Sequence, residues 1–344
     1  MAVSILAAVG YLSEKIPKVI RYLRQPVPTG LPRAKSDYVL GSALALACAG
    51  IWAASYASID LLSPAVGTLA TNIHLMGFAA LFLYIGSVIA TRFKPVKQPI
   101  EPRKGGQLAV LVIANLGNFV FSVWALTFIS ASEAMTLNNL SPLLLAAGLW
   151  WRGKLAPSIG TFLALVLVVL GAFLVNVDGN FTLRTGDHLQ GGLIAIAAGA
   201  SFALWTFTLD EFEFASKAER MSLLALVFFV SYVVLVTYGF FTNEQSQPTA
   251  RDYLILILNG ARVGLVHMLY LFAIEKAGPM LASVIVVLMV PLTFPFDSVW
   301  NQASITIQLV LGSILIVLAA AGLLSDELRR RPAPDDLSRS ERGG

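Results

Sequence analysis

Residues 156–176 read APSIGTFLALVLVVLGAFLVN, twenty-one consecutive positions without Asp, Glu, Lys or Arg. A helix rises about 1.5 Å per residue, so this run crosses the roughly 30 Å hydrocarbon layer of a bilayer once. Nine further segments of similar character lie on either side of it, at 38–59, 68–91, 108–129, 132–151, 190–210, 221–241, 252–273, 278–297 and 304–324. The connection between the third and fourth segments, around Ser130 and Ala131, is especially tight.

Composition agrees with this reading. Of 344 residues, 57% are hydrophobic and 13% charged, where a soluble domain has about 45–50% and 25%. So few charges, spread so unevenly, cannot clothe the exterior of two or three globular domains. The formal net charge of +4 does not suggest a nucleic-acid binder, because the basic residues mark alternate ends of apolar runs instead of forming one face. Cys48 is the only cysteine and sits inside an apolar run, which leaves no basis for disulfides or cysteine-ligated zinc and iron–sulfur centres.

The basic residues test the count of ten, because cytoplasmic connections hold most of the lysine and arginine. Lys15, Lys18, Arg21, Arg24, Arg33 and Lys35 precede the first span, and Arg92, Lys94, Lys97, Arg103 and Lys104 follow the second. Arg152 and Lys154 follow the fourth, Lys217 and Arg220 the sixth, Lys276 the eighth, and five arginines the tenth. These are 21 of the 24 basic residues; the opposite connections hold Arg184 and Arg251, and Arg262 lies within a span. The alternation predicts an even number of crossings with both termini in the cytoplasm.

Residues 1–37 form a cytoplasmic N-terminal segment. Leu12, Ile16, Val19, Ile20 and Leu23 recur at helical spacing before Pro26, Pro28 and Pro32. The pattern reads either as a helix lying on the inner membrane surface or as a loosely helical tail. Ser4 to Gly10 is too short for the core of a cleavable leader, so retention is expected. Residues 325–344 are polar and read as a cytoplasmic disordered tail.

The two halves resemble each other at a displacement of about 150 residues. Gly41 and Gly50 match Gly192 and Ser201, Ile51 matches Phe202, Ala125 matches Ala273, Pro142 matches Pro291, and Gly160-Thr161 matches Gly312-Ser313. A five-span unit is odd, so its second copy enters the membrane in the opposite sense. The expected architecture is an all-α polytopic membrane protein with ten transmembrane helices as two inverted five-helix repeats, 38–176 and 190–324. Inverted repeats around a midplane site are a recurring plan for alternating-access transporters.

The segment Trp124 to Ala134, followed by Asn138-Asn139-Leu140-Ser141-Pro142, resembles the third-to-fourth helix region of the drug/metabolite transporter superfamily, EamA-like family. Gly50-Ile51-Trp52 resembles that family's glycine-tryptophan region, and Gly160 to Gly171 its small-residue-punctuated fifth helix. The resemblance covers roughly 38–324 and implies secondary export or uptake of small metabolites. The second half departs from the pattern at Glu275-Lys276-Ala277-Gly278-Pro279, which reads as a cytoplasmic turn.

Polar residues within the spans are the candidate pathway. Arg262, near the middle of the eighth span, costs at least about 2.5 kcal/mol to insert and must face protein or water. A substrate carboxylate or phosphate is one partner for it; backbone carbonyls, or snorkelling along a tilted helix, are the structural alternatives. Asn115 and Asn118, three residues apart, share one face of the third span, and Asn138, Asn139 and Ser141 add polar groups to the fourth. Interhelical bonding and cavity lining are both open to them. Trp52, Tyr56, Trp205, His267 and Tyr270 are candidates for the same path, and His267 carries the option of proton coupling. Pro142 and Pro291 are expected to kink their helices, with gating as a further role.

No zinc motif, phosphate loop or nucleophile setting is present, so a non-enzymatic role without metal or cofactor is expected. The substrate reads as a small polar or amphipathic solute, anionic or amino-acid-like; a noncatalytic membrane scaffold or interaction protein is the alternative. Compact loops suit a bacterial cytoplasmic membrane. Oligomeric state, direction of transport and coupling ion stay open.

Overall fold

The computed structural model describes residues 35–93, 105–151, 153, 159–177, 184–210, 212, 217–242 and 248–330. The expected surface helix of the N-terminal segment and the tail beyond Arg330 lie outside these residues. The regular elements among them are helices: α1 (Lys35–Val66), α2 (Thr68–Phe93), α3 (Gly105–Ala125), α4 (Ala131–Asn138), α5 (Ser141–Trp151) and α6 (Ile159–Val175). There follow α7 (Asp187–Leu209), α8 (Lys217–Thr242), α9 (Ala250–Ala277), α10 (Pro279–Val286), α11 (Met289–Trp300) and α12 (Ile307–Arg330).

Seven helical segments are long and apolar enough to cross a membrane, with two shorter apolar helices within α6 and α12. The exterior shows why. Phe162, Val169, Phe229, Phe241 and Val299 are exposed, as an acyl environment favours and water does not. The protein is an all-α polytopic membrane protein.

Local chemistry sets the helix ends. At α4, Ser130 adopts an extended backbone and its hydroxyl accepts from the Glu133 N–H at 3.3 Å. Glu133 accepts from the Ser130 N–H at 3.1 Å, completing a capping box. Thr249 and Asp252 make the same device at α9. The α9–α10 turn rests on Gly278, whose φ of +92° is costly for residues with a Cβ, and on Pro279, which needs no hydrogen-bond acceptor at the start of a helix. Lys276 pairs with Asp37 at 2.9 Å, and Arg220 pairs with Glu275.

Two helical segments are broken. The α-helical hydrogen bonding is interrupted just before Pro142, where Asn139 leaves helical dihedrals, and just before Pro291, where Val287 and Leu288 keep helical dihedrals but bond in tighter i→i+3 turns. Proline has no N–H for the carbonyl four residues earlier, Asn138 or Val287, and its ring crowds that carbonyl. The disruption therefore exceeds the expected kink: each segment is two short helices. The Asn138 carbonyl lies against Gly199 of α7, where a Cβ would clash.

The helices pack in a reciprocal pattern. α1 lies along α9 and α3 along α7; α2 lies on α8 and α6 on α12. The broken pair α4/α5 rests on α7, while α10/α11 rests on α1. At the α6–α12 crossing, Gly171 and Gly312 sit backbone to backbone, and a Cβ on either would come within 2.7 or 2.6 Å of the other's carbonyl oxygen. The small residues of these helices thus serve close approach.

Candidate functional site

Where α1, α3 and α9 meet, they enclose a cavity of about 30 Å³, room for a water or two. Trp52, Ser55 and Tyr56 line it from α1, and Asn118, Phe119 and Ser122 from α3, with Val263 from α9. Its polar wall is hydrogen-bonded. Tyr56 Oη donates to Ser122 Oγ at 2.5 Å, and Asn138 Nδ2 donates to Tyr56 Oη at 2.6 Å and to Ser122 Oγ at 3.3 Å. Asn118 Nδ2 donates to the Ala198 carbonyl of α7 at 3.2 Å. Ser55 Oγ is buried without a hydrogen-bond partner among the described residues, an unsatisfied hydroxyl beside the cavity.

Below the polar wall lies a layer of rings. His267 is surrounded by Trp52, Phe119, Trp205 and Phe228, with centroids 5.6, 5.5, 5.1 and 5.0 Å away. Tyr270 stacks on Trp205 and touches Trp52. His267 Nδ1 is 2.8 Å from the Val263 carbonyl. A carbonyl only accepts, so Nδ1 carries the proton. Tyr270 Oη meets Ser283 Oγ at 2.7 Å and Thr206 Oγ1 at 3.4 Å. Trp205 and Tyr270 are fully enclosed and seal the layer.

The expected site residues thus divide. Trp52, Tyr56 and Asn118 line the cavity, Asn138 bonds to its wall, and Trp205, His267 and Tyr270 build the layer beneath. Asn115 turns elsewhere: its Nδ2 donates to Ser231 of α8 at 3.1 Å. Three residues on a helix are about 60° apart around its axis, enough to reach different neighbours. Asn139 donates to the Met135 carbonyl at 2.7 Å within the helix break. Arg262 is half-buried at mid-helix, does not line the cavity, and makes no ion pair among the described residues.

Several polar side chains escaped the sequence reading. Ser55, Ser122, Thr206 and Ser283 are lone hydroxyls in apolar runs, and such residues usually bond their own helix. Asp297 is wholly buried and accepts from the Ser132 N–H at 2.7 Å and from Asn301 Nδ2 at 2.9 Å. Asp60 is close enough to feel its charge and accepts from the Ala131 N–H. A carboxylate amid Pro295, Phe296 and Val299 was the available signal. Nearby, Glu133 pairs with Arg184 at 2.8 Å and His188 at 3.2 Å.

A larger hollow of about 800 Å³ runs between α2 and α8. Its wall includes the exposed Leu81, Tyr84 and Phe229, so it opens on the lipid-facing belt and offers few convergent polar groups. The cavity among α1, α3 and α9 is the better candidate.

The sequence model of the EamA-like transporter family matches residues 39–177 and again residues 189–325. The chain belongs to the EamA-like transporter family. A solved crystal structure, described only as that of a protein, is 14% identical, covers 88% of this chain and 100% of its own, and superposes with a TM-score of 0.62. That likeness concerns the fold. No curated protein matches the chain. The EamA-like assignment makes this protein a small-molecule secondary transporter and not an enzyme, in agreement with the resemblance carried by Trp124 to Pro142. No cluster of metal-ligating side chains occurs among the described residues.

Proposed function

We propose that this EamA-like protein carries a small polar or amphipathic solute, anionic or amino-acid-like, through the α1–α3–α9 cavity by alternating access. The unit is ten crossings in two inverted fives: α1 to α6, with α4/α5 as one crossing, and α7 to α12, with α10/α11 as one crossing. The observation that supports this reading is the reciprocal packing. Exchanging the first five crossings for the second turns the α1–α9 contact into α7–α3 and the α10/α11–α1 contact into α4/α5–α7, and returns α2–α8 and α6–α12 to themselves. A pseudo-twofold relation between the two fives exchanges elements in this way, and the odd number of crossings proposed for each unit sets its axis in the membrane plane.

Arg262 is proposed to meet an anionic group of the solute when the helices part, since it makes no ion pair among the described residues. The proton is proposed as coupling ion, because His267 and, apart from it, the acidic pair Asp60 and Asp297 are ionisable groups carried by the helices. Both termini are placed in the cytoplasm, and a bacterial inner membrane is the proposed setting.

Purified protein in sealed vesicles tests this. Uptake of labelled amino acids and small carboxylates, with and without an imposed proton gradient, is expected to exceed that of empty vesicles for at least one solute and to fall about ten-fold or more in Asn118→Leu. Flux equal to empty vesicles across the panel sinks the reading and favours a scaffold. Undiminished flux in Asn118→Leu moves the pathway elsewhere.

A further inference from the structure

We propose that two hydrogen-bonded clusters, Tyr56–Ser122–Asn138 and Thr206–Tyr270–Ser283, are matched latches that close opposite mouths of the pathway in alternation. The inference rests on the alternating-access reading and adds the side chains that hold each mouth shut.

Each cluster ties a short half-helix to two long helices. In the first, Asn138, the last residue of α4, donates to Tyr56 of α1 and Ser122 of α3. In the second, Ser283 of α10 meets Tyr270 of α9, which also contacts Thr206 of α7. These helices are counterparts in the two stretches matched by the family: α1 with α7, α3 with α9, α4 with α10. The residues correspond as well. Tyr56 and Thr206 are 150 positions apart, and Ser122 and Tyr270 are 148. The prolines Pro142 and Pro291, 149 apart, place the counterpart of Asn138 at Val287, one turn from Ser283. Each cluster keeps one tyrosine, carried by α1 in the first and by α9 in the second.

The two clusters differ in their relation to the ring layer around His267. The first cluster borders the cavity; the second includes Tyr270 and sits against Trp205 within that layer. Beyond each half-helix the regular i→i+4 bonding is already interrupted, so α4 and α10 can pivot without disrupting a continuous α-helix. A buried neutral hydrogen bond shifts such an equilibrium by about five-fold, enough to bias a mouth toward closure without locking it.

Cys48 provides a reporter. It is the only cysteine, fully buried, with its thiol donating to the Val266 carbonyl of α9, the helix that carries Tyr270, at 3.6 Å. A membrane-impermeant maleimide is applied to intact cells and to inside-out vesicles containing the full-length protein. Tyr270→Phe and Ser283→Ala are each expected to raise Cys48 labelling about five-fold in inside-out vesicles and leave it unchanged in cells. Tyr56→Phe and Ser122→Ala are expected to leave inside-out labelling equal to or below that of the parent protein.

Equal acceleration by both sets, at similar melting temperatures, means general loosening and overturns the proposal. So does unchanged labelling in Tyr270→Phe and Ser283→Ala, or acceleration from the outer face alone. Because no solute is needed, these results stand apart from the flux experiment: a failed latch leaves the transport reading in place.

Discussion

Asn115 and Asn118 show what a single side chain decides inside a membrane protein. Both carboxamides need partners where water is scarce, yet Asn115 joins α3 to Ser231 of α8, whereas Asn118 faces the cavity and bonds the Ala198 carbonyl. Asn115→Ala is therefore expected to lower stability by about 0.6–1.7 kcal/mol, the range for interhelical bonds in membranes, while flux per folded molecule changes little. Melting in detergent and vesicle uptake together check this. Asn118→Leu should do the reverse. Arg262 was legible as the one basic residue within an apolar run, and it lies near the middle of α9. What it faces was not legible, because hydropathy records depth along a helix and not direction around it. Asp297 shows the complementary gap: a carboxylate near a predicted end turned out to be fully enclosed, held by the amide N–H of Ser132 from a segment 165 positions away.

At the scale of the element, the chain's own chemistry explains most boundaries. The Ser130–Glu133 and Thr249–Asp252 capping boxes can be read as sequence patterns. The prolines at 142 and 291 announce disruption, but the extent of each break depends on what surrounds it. The Asn138 carbonyl at the first break packs on the bare Cα of Gly199, which lets α7 lie directly against a non-helical turn. The α6–α12 crossing has the same logic, with Gly171 and Gly312 in backbone contact. Gly171→Leu should force these helices apart and destabilise the protein by about 1–3 kcal/mol, the usual cost of overpacking. A melting temperature equal to that of the parent protein would show that the crossing tolerates separation. The length of α1, 32 residues or about 48 Å, exceeds a hydrocarbon thickness of about 30 Å, which a helix accommodates by tilting or by projecting its ends.

For the whole molecule, topology is the testable property. If both termini are cytoplasmic, the α11–α12 connection lies outside and the end of α12 inside. In a Cys48→Ser background, Ser304→Cys should react with an impermeant maleimide on intact cells, and Ser325→Cys only after permeabilisation; the opposite pattern would invert the molecule. Membrane class and the position of most spans were determined by the sequence alone, because a bilayer imposes a one-dimensional rule: about 20 apolar residues per crossing, with basic residues retained on one side. Internal similarity and the stretch from Trp124 to Pro142 brought the family within reach for the same reason, since they are patterns along the chain. The cavity, its partnerless Ser55 hydroxyl and the two clusters of hydroxyls and amide were decided only by tertiary structure. Tyr56 meets residues 66 and 82 positions away, and Tyr270 one 64 positions away. Which isolated serine or asparagine finds which partner depends on how helices rotate and cross, and that is set by packing among all of them at once.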